Sequence, residues 1–185
     1  MTGIGSAPQL DSAAFAALFD AAQHAVFRLE ARQTYAVPAD DDELVAFRTG
    51  APRPERSVRT SPWLRRIAVQ TAAGVAWSRL RTIERPLTEY TRFELVAYVE
   101  SQAAGEEIRL LERPLLHSDF WLIDPGRSGQ VAVLMHYDGD GRLQRRERVD
   151  EPAEIARLDR IRETSWSAAA PLNIWLAGEA AAARA

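Results

Sequence analysis

Residues 79–137 limit what this chain can fold into more than any other part of it. Their hydrophobic pattern predicts a strand, a helix, a strand, a loop and two further strands. The predicted strands cover residues 75–83, 107–112, 120–124 and 130–137, and the helix runs from Thr88 to about Ala104, where Gly105 ends it. Strands that alternate with a helix in this way are typical of a sheet covered by helices.

Two further strands extend this predicted sheet. The turn at residues 138–141, Asp-Gly-Asp-Gly, predicts a hairpin into a strand at residues 143–149. Upstream, Phe27 and Leu29 alternate with Arg28 and Glu30, which is the pattern of a half-buried strand. The sequence therefore predicts an α/β fold with a mixed sheet of about six strands flanked by helices.

The chain length predicts a single domain. A protein of 185 residues with 46% hydrophobic residues can form one self-supporting core. Residues 11–176 contain the periodic segments and are the predicted domain. We expect residues 1–10 and 177–185 to be disordered tails.

Composition excludes several kinds of chemistry. The chain has no cysteine and no lysine, which excludes disulfides, thiol catalysis, thiolate metal sites and Schiff-base lysines. A net charge of −3 argues against sequence-independent nucleic-acid binding, so no direct nucleic-acid partner is expected. We see neither a secretion signal nor an apolar run of about 20 residues, and expect a cytoplasmic protein without membrane contact.

Charged residues in apolar surroundings mark the candidate site. Glu94 falls within the apolar arc of the predicted helix, where an unpaired charge is costly. Its available partners are Arg79 and Arg81 on one face of the preceding strand and Arg109 on the following strand. Structural ion pairs would explain this pattern, and so would a ligand pocket formed by these four residues together with Asp119. Both explanations remain open at this point.

No cofactor or metal site is predicted. The three histidines lie on separate predicted elements, without a pair four residues apart on one helix. The acidic turn at residues 138–141 departs from a calcium loop, because Arg142 and Val149 occupy positions that need oxygen ligands. Glycine-rich phosphate loops and the G-x-S-x-G and H-E-x-x-H motifs are absent.

A set of sequence blocks is distinctive in combination. The blocks are residues 27–30 with Tyr35, 79–81, 86–95, 104–109, 119–124, and 137–138 followed by Gly141. Through them, the chain resembles a family of uncharacterised domains from high-G+C bacteria between about Phe15 and Pro171. Members of that family are often encoded beside helix-turn-helix regulators. The resemblance implies a small accessory or regulatory protein with such a regulator as its partner.

A second resemblance is to the phospholipase D-like fold, whose hairpin carries H-x-K-x-x-x-x-D. His117 and Asp124 have the spacing of the histidine and the final aspartate, and residues 104–109 resemble its A-x-G-x-x-I-R-type strand. The resemblance implies a degenerate half-unit that would have to dimerise to bring two histidines together. Asp119 replaces the lysine that holds phosphate in that family, and a carboxylate there would repel a phosphate dianion.

The predicted function is therefore non-enzymatic. We expect a regulatory module that acts with a DNA-binding helix-turn-helix partner and senses a small ligand near Arg79, Arg81, Glu94, Arg109 and Asp119. The alternative is a phosphodiesterase or nuclease that uses His117 in a homodimer, or carboxylate-assisted chemistry by Glu94 and Asp124.

Overall fold

The structure is a computed structural model, which describes residues 9–38, 41–115 and 117–184. In chain order its elements are α1 (Ser12–Ala21), β1 (Ala25–Glu30), α2 (Asp41–Thr49), α3 (Pro62–Ala72), β2 (Ala76–Thr82), α4 (Glu89–Ala103), β3 (Glu107–Leu111), β4 (Asp119–Ile123), β5 (Val131–Tyr137), β6 (Leu143–Val149), α5 (Pro152–Ala168), β7 (Ala170–Pro171) and α6 (Leu172–Ala182). The hydroxyl of Thr88 accepts a hydrogen bond from the backbone N–H of Thr91, so the predicted cap of α4 is confirmed.

The strands form one open, mixed sheet in the order β6-β5-β4-β1-β2-β3-β7. β1, β2 and β3 are parallel, because α3 and α4 connect them on one side of the sheet. β4, β5 and β6 pair antiparallel on one flank, and β7 pairs antiparallel on the other. The predicted α/β fold with a mixed sheet is confirmed. The additional strand is β7, which has only two residues.

One side of the sheet carries charged residues in its centre, and we call it the ionic face. It is defined by Arg28 and Glu30 of β1, Arg79 and Arg81 of β2, and Asp119 of β4. Apolar residues of α1 and α3 pack at one end of this face, and apolar residues of α4 pack at the other. The ionic residues therefore lie between two apolar clusters, under helices.

The opposite side of the sheet is apolar. Phe27 and Leu29 of β1, Leu80 of β2, and Phe120 and Leu122 of β4 pack there against α5. Because side chains alternate between the two sides of a strand, each strand supplies both faces. β1 is central and covered on both sides, so it is buried from Val26 to Glu30 instead of half-buried as its alternation suggested.

The ends of the described chain differ in structure. Leu172 and Trp175 are buried in the core and anchor α6, which continues to Ala182 through residues predicted as a tail. Most of the predicted N-terminal tail, residues 1–8, lies outside the described residues. None of the described helices has the length and apolar character needed to cross a membrane.

Candidate functional site

A network of buried charges occupies the ionic face. The exposed fractions of its members are 4% for Arg28, 7% for Glu30, 8% for Arg79, 0% for Arg81 and 2% for Asp119. Burying a charge is costly unless the charge is paired and hydrogen-bonded. The geometry of the site is therefore governed by how these residues satisfy one another.

Glu30 is the centre of the network. Its Oε1 accepts a hydrogen bond of 2.7 Å from Nη1 of Arg79, and its Oε2 accepts one of 2.5 Å from the phenol of Tyr98 on α4. Nε of Arg79 also donates to Glu106 at 3.0 Å. Burial raises the pKa of Glu30, but the positive charges of Arg79 and Arg28, with smaller effects of Arg81 and Tyr98, outweigh burial and lower it to about 2. Glu30 is thus ionised at neutral pH.

Asp119 forms a second centre beside the first. Its Oδ2 accepts hydrogen bonds from Nη2 of Arg28 at 3.0 Å and from the phenol of Tyr35 at 2.5 Å. Its Oδ1 accepts one from the backbone N–H of Ala31 at 3.0 Å. Burial raises the pKa of Asp119, and these donors reduce that rise without cancelling it. Arg28 links the two centres, since its Nε lies 3.5 Å from Oε1 of Glu30.

Arg81 is enclosed without a hydrogen bond. Its guanidinium carbon lies 4.9 Å from the ring centre of Tyr35, and Nη1 lies 3.6 Å from Oε2 of Glu30. None of its three side-chain nitrogens has a hydrogen-bond partner among the described residues. Burial lowers the pKa of Arg81, but the charges of Tyr98, Tyr35, Glu30 and Glu94 raise it by more than burial lowers it. The guanidinium therefore remains charged.

A cavity of about 260 Å³ lies between this network and the helices. Its charged lining residues are Arg28, Glu30, Glu43, Arg56, Arg79 and Glu94. Glu94 lies on the side of α4 that also presents Ala97, Tyr98 and Ser101 to the cavity, as expected for positions three, four and seven residues apart. Glu94 was therefore predicted correctly to lie on the inward face of its helix.

The other wall of the cavity is apolar. Phe15 of α1, Trp63 of α3, and Trp121 and Met135 of the sheet line it. Phe15 and Trp63 both pack edge-on against Trp121, with ring centres 6.1 and 5.9 Å away. The cavity therefore combines charged groups with an apolar, aromatic part of its wall.

Arg109 does not belong to this site, although the sequence grouped it with Arg79 and Arg81. In the parallel pairing of β2 and β3, Arg109 lies opposite Leu80, and its neighbours Ile108 and Leu110 lie opposite the two arginines. Arg109 therefore points to the apolar side of the sheet. There its guanidinium carbon lies 4.7 Å from the ring centre of Trp166.

His117 and Asp124 lie beyond opposite ends of β4. His117 is partly exposed, with Nε2 3.2 Å from Nη1 of Arg157, and it borders a second cavity of about 460 Å³ with Asp119 and His136. Asp124 instead accepts hydrogen bonds of 2.7–2.9 Å from the backbone N–H groups of residues 23–25. The structure does not bring His117, Asp124 and Glu94 together on one cavity.

Several members of the site were not identified from the sequence. Arg28 and Glu30 looked like the solvent side of a half-buried strand, Tyr98 like a core residue, and Tyr35 and Glu106 lie outside the strands. What would have identified Arg28 and Glu30 is the central position of β1 in the sheet. That position follows from the pairing of β1 with β2 and β4, which the alternation of a single strand does not show. Across the described ranges, no group of His, Asp and Glu side chains could hold a metal ion.

These features define an α/β domain with a buried ionic network and an adjoining polar cavity. The chain belongs to the family described as a domain of unknown function, DUF6879, whose model matches residues 13–177. The prediction of an uncharacterised domain family is thereby confirmed.

The fold is also similar to a known structure. TrmBL2, an archaeal chromatin protein described as showing a novel mode of DNA binding, matches with a TM-score of 0.50 and 11% identity. The match covers 91% of this chain and 55% of that one, so this chain spans about half the length of TrmBL2. At such low identity the likeness shows the fold alone. No curated protein that was compared matches the chain.

Proposed function

We propose that this domain is a non-enzymatic regulatory module that recognises a small polar molecule in the cavity beneath α4. The observation that carries the proposal is the cavity of about 260 Å³, which is lined by six charged residues and by several aromatic rings. A concave site with an apolar wall and a few convergent polar groups is the usual form of a ligand pocket.

Recognition is favoured over catalysis by how the charged groups are held. Glu30 and Asp119 are each fixed by several donors, so neither is placed as a free base or nucleophile. The residues considered for catalysis, His117, Glu94 and Asp124, lie in separate surroundings. Their separation argues against one reaction centre that uses all three.

Filling the cavity tests the proposal. Thermal-shift screening of the purified chain with a panel of small polar metabolites should identify compounds that raise the melting temperature. Ala97 lines the cavity, so Ala97→Met should reduce the shift, whereas Val96→Met on the exposed side of the same helix should not. If no compound gives a shift that Ala97→Met reduces, the proposal is wrong.

The regulatory part of the proposal concerns a partner. We propose that the domain acts with a helix-turn-helix regulator, on the strength of the resemblance to uncharacterised domains often encoded beside such proteins. Affinity purification of the tagged chain from its native host, followed by mass spectrometry, should recover that regulator. Recovery of no transcription factor, in the presence or absence of a ligand found in the screen, would contradict this part.

One observation favours the alternative, a phosphodiesterase or nuclease of the phospholipase D-like type. The guanidinium of Arg157 lies beside the imidazole of His117, and such a cation could contact a phosphate oxygen. Glu154 already binds Arg157 through two hydrogen bonds, and Asp119 lies on the same cavity as His117. We therefore expect no turnover of generic phosphodiesters. A measured activity that His117→Ala abolishes would establish the alternative instead.

The likeness to TrmBL2 bears on nucleic acids. That protein is described as DNA-binding, which runs against the expectation that this chain has no direct nucleic-acid contact. We propose that DNA contact belongs to the regulator partner, because the net charge of this chain is −3. Direct DNA binding by the isolated chain would overturn this division of roles.

A further inference from the structure

The charges that line the cavity beneath α4 balance one another. Its lining contains three arginines, Arg28, Arg56 and Arg79, and three glutamates, Glu30, Glu43 and Glu94. A ligand with a net charge would leave one charge of the complex uncompensated in a site of low dielectric, which is costly. The lining therefore favours a ligand that is neutral overall.

The same residues offer both donors and acceptors to a ligand. Arg79 donates to Glu106 and Glu30, and Arg56 donates to Glu100 and the carbonyl of Ala97, which uses two of the five N–H groups of each arginine. Their side chains are 10% and 21% exposed. They can thus bind a carboxylate, which guanidinium groups recognise through paired hydrogen bonds.

An acceptor group lines the same cavity. The side chain of Glu43 is 25% exposed, and a carboxylate has about four acceptor positions. Glu43 accepts a hydrogen bond of 3.1 Å from Arg53, which leaves capacity for a further donor. A ligand ammonium group with three N–H donors fits such acceptors.

Part of the cavity wall is apolar. Phe15, Trp63 and Met135 present apolar surface to the same cavity. A volume of about 260 Å³ is close to the lower end of the size range of small-molecule pockets, so the cavity suits a small ligand.

We infer that the ligand is a small zwitterion of the free amino-acid type. Its carboxylate binds Arg56 and Arg79, its ammonium group binds Glu43, and its apolar side chain points toward Trp63. This inference rests on the proposed function, since it names the chemical class of the molecule that the cavity recognises.

The test compares one amino acid with its capped forms. L-leucine and L-methionine are titrated into the purified chain by calorimetry at pH 7, beside N-acetyl-L-leucine, which lacks the ammonium group, and L-leucinamide, which lacks the carboxylate. At least one free amino acid should bind and raise the melting temperature. Each capped form should bind on the order of tenfold more weakly or worse, because it lacks one charged partner.

A pair of glutamate variants adds a control. Glu43→Gln should weaken binding of the free amino acid on the order of tenfold, since it removes a carboxylate that faces the ammonium group. Glu89 is a matched control because, like Glu43, it forms an ion pair with an arginine, in this case Arg48. Glu89→Gln should leave the affinity unchanged, since Glu89 does not line the cavity. Equal affinities for Glu43→Gln and Glu89→Gln would contradict the assigned orientation.

The outcomes separate this inference from the proposed function. If capped and free forms bind equally, the assignment of a zwitterionic ligand is wrong, but the proposal of a ligand pocket stands. The same holds if only other classes of compound bind and Ala97→Met weakens their binding. If no compound of the metabolite panel or of the amino-acid series binds, both are wrong.

Discussion

Arg28 shows how one side chain can hold two parts of a site together. Its Nη2 donates to Asp119 and to the phenol oxygen of Tyr137, each at 3.0 Å, and its guanidinium carbon lies 5.0 Å from the ring centre of Trp121. The same group forms an ion pair with Glu30. A planar, permanently charged guanidinium can make all these contacts at once, which a lysine could not.

The hydrogen bond between Tyr35 and Asp119 gives the first prediction. Tyr35→Phe should lower the free energy of unfolding by about 1.5–3 kcal/mol, because it removes a buried hydrogen bond to a carboxylate. Urea unfolding measures the change. In an Asp119→Asn background the same substitution should cost clearly less, since the two side chains are coupled. Equal costs in the two backgrounds would show that the bond contributes nothing.

At the level of single residues, the sequence predicted the site in part. Arg79 and Arg81 could be assigned to one face of their strand because alternation fixes which residues share a side. Arg109 could not be assigned to either face without the pairing register, which places it opposite Leu80. Arg28 and Glu30 were missed because charged residues on one face of a strand predict that this face is exposed to solvent. Here helices cover that face.

Among the structural elements, the loop after β1 depends on the hairpin turn between β5 and β6. A Cβ on Gly141 would lie 2.8 Å from the carbonyl oxygen of Thr34 and 3.1 Å from Cα of Tyr35, and Gly141 has a φ of +84°. Its carbonyl also accepts a hydrogen bond of 3.0 Å from the N–H of Ala36. The turn therefore holds the loop that places Tyr35 over Arg81.

Two glycines of similar backbone conformation test this contact. Gly126 has a φ of +73°, but a Cβ there would meet no atom within 4 Å. Gly126→Ala should cost about 1–2 kcal/mol of unfolding free energy for the left-handed conformation alone. Gly141→Ala should cost about 1–3 kcal/mol more, because backbone atoms must move. Equal costs in chemical denaturation would mean that the loop accommodates the methyl group freely.

Asp124 connects the end of β4 to the turn before β1, and its role should depend on pH. Burial raises the pKa of Asp124, but the backbone N–H groups of residues 23–25 and the nearby His24 outweigh burial and lower it below its ordinary value. An acid whose pKa is lower in the folded state stabilises the fold above its unfolded pKa, and this contribution is lost as the pH falls through the folded value.

The stability difference between wild type and Asp124→Asn should follow this rule. The difference should be about 1.5–3 kcal/mol at neutral pH, because the amide nitrogen of asparagine would replace an oxygen that accepts an N–H. It should shrink below about pH 4, where the unfolded carboxyl group begins to bind its proton. Urea unfolding at several pH values measures it, and a difference that grows toward low pH would contradict the assignment.

For the whole molecule, the fold class was predictable because each segment of residues 79–137 carries a clear period and clear end signals. The strand order was not, because β1 pairs with both β2 and β4 through contacts that lie far apart in the chain. The seventh strand was missed for a related reason. It has two residues, Ala170 and Pro171, which are too few to show any alternation.

The charge distribution of the whole molecule predicts weak contact with nucleic acids. Two of the three arginines on the outer strand β6 are neutralised locally, since Arg145 pairs with Glu147 and Arg148 with Asp150, each at 2.8 Å. In fluorescence anisotropy at physiological salt, the chain should bind a generic DNA duplex with a Kd no tighter than about 10⁻⁴ M. Micromolar binding that weakens steeply with added salt would show that the chain contacts DNA itself.

The two outer strands also determine how copies of this protein can meet. β7 ends after two residues at a proline, whereas β6 carries a row of charges and pairs at Glu147 with Gln9. The shortness of β7 and the charges of β6 oppose the addition of a strand from another molecule at either border. We expect concentrated solutions to resist aggregation, and any dimer to form through helices instead of through a shared sheet.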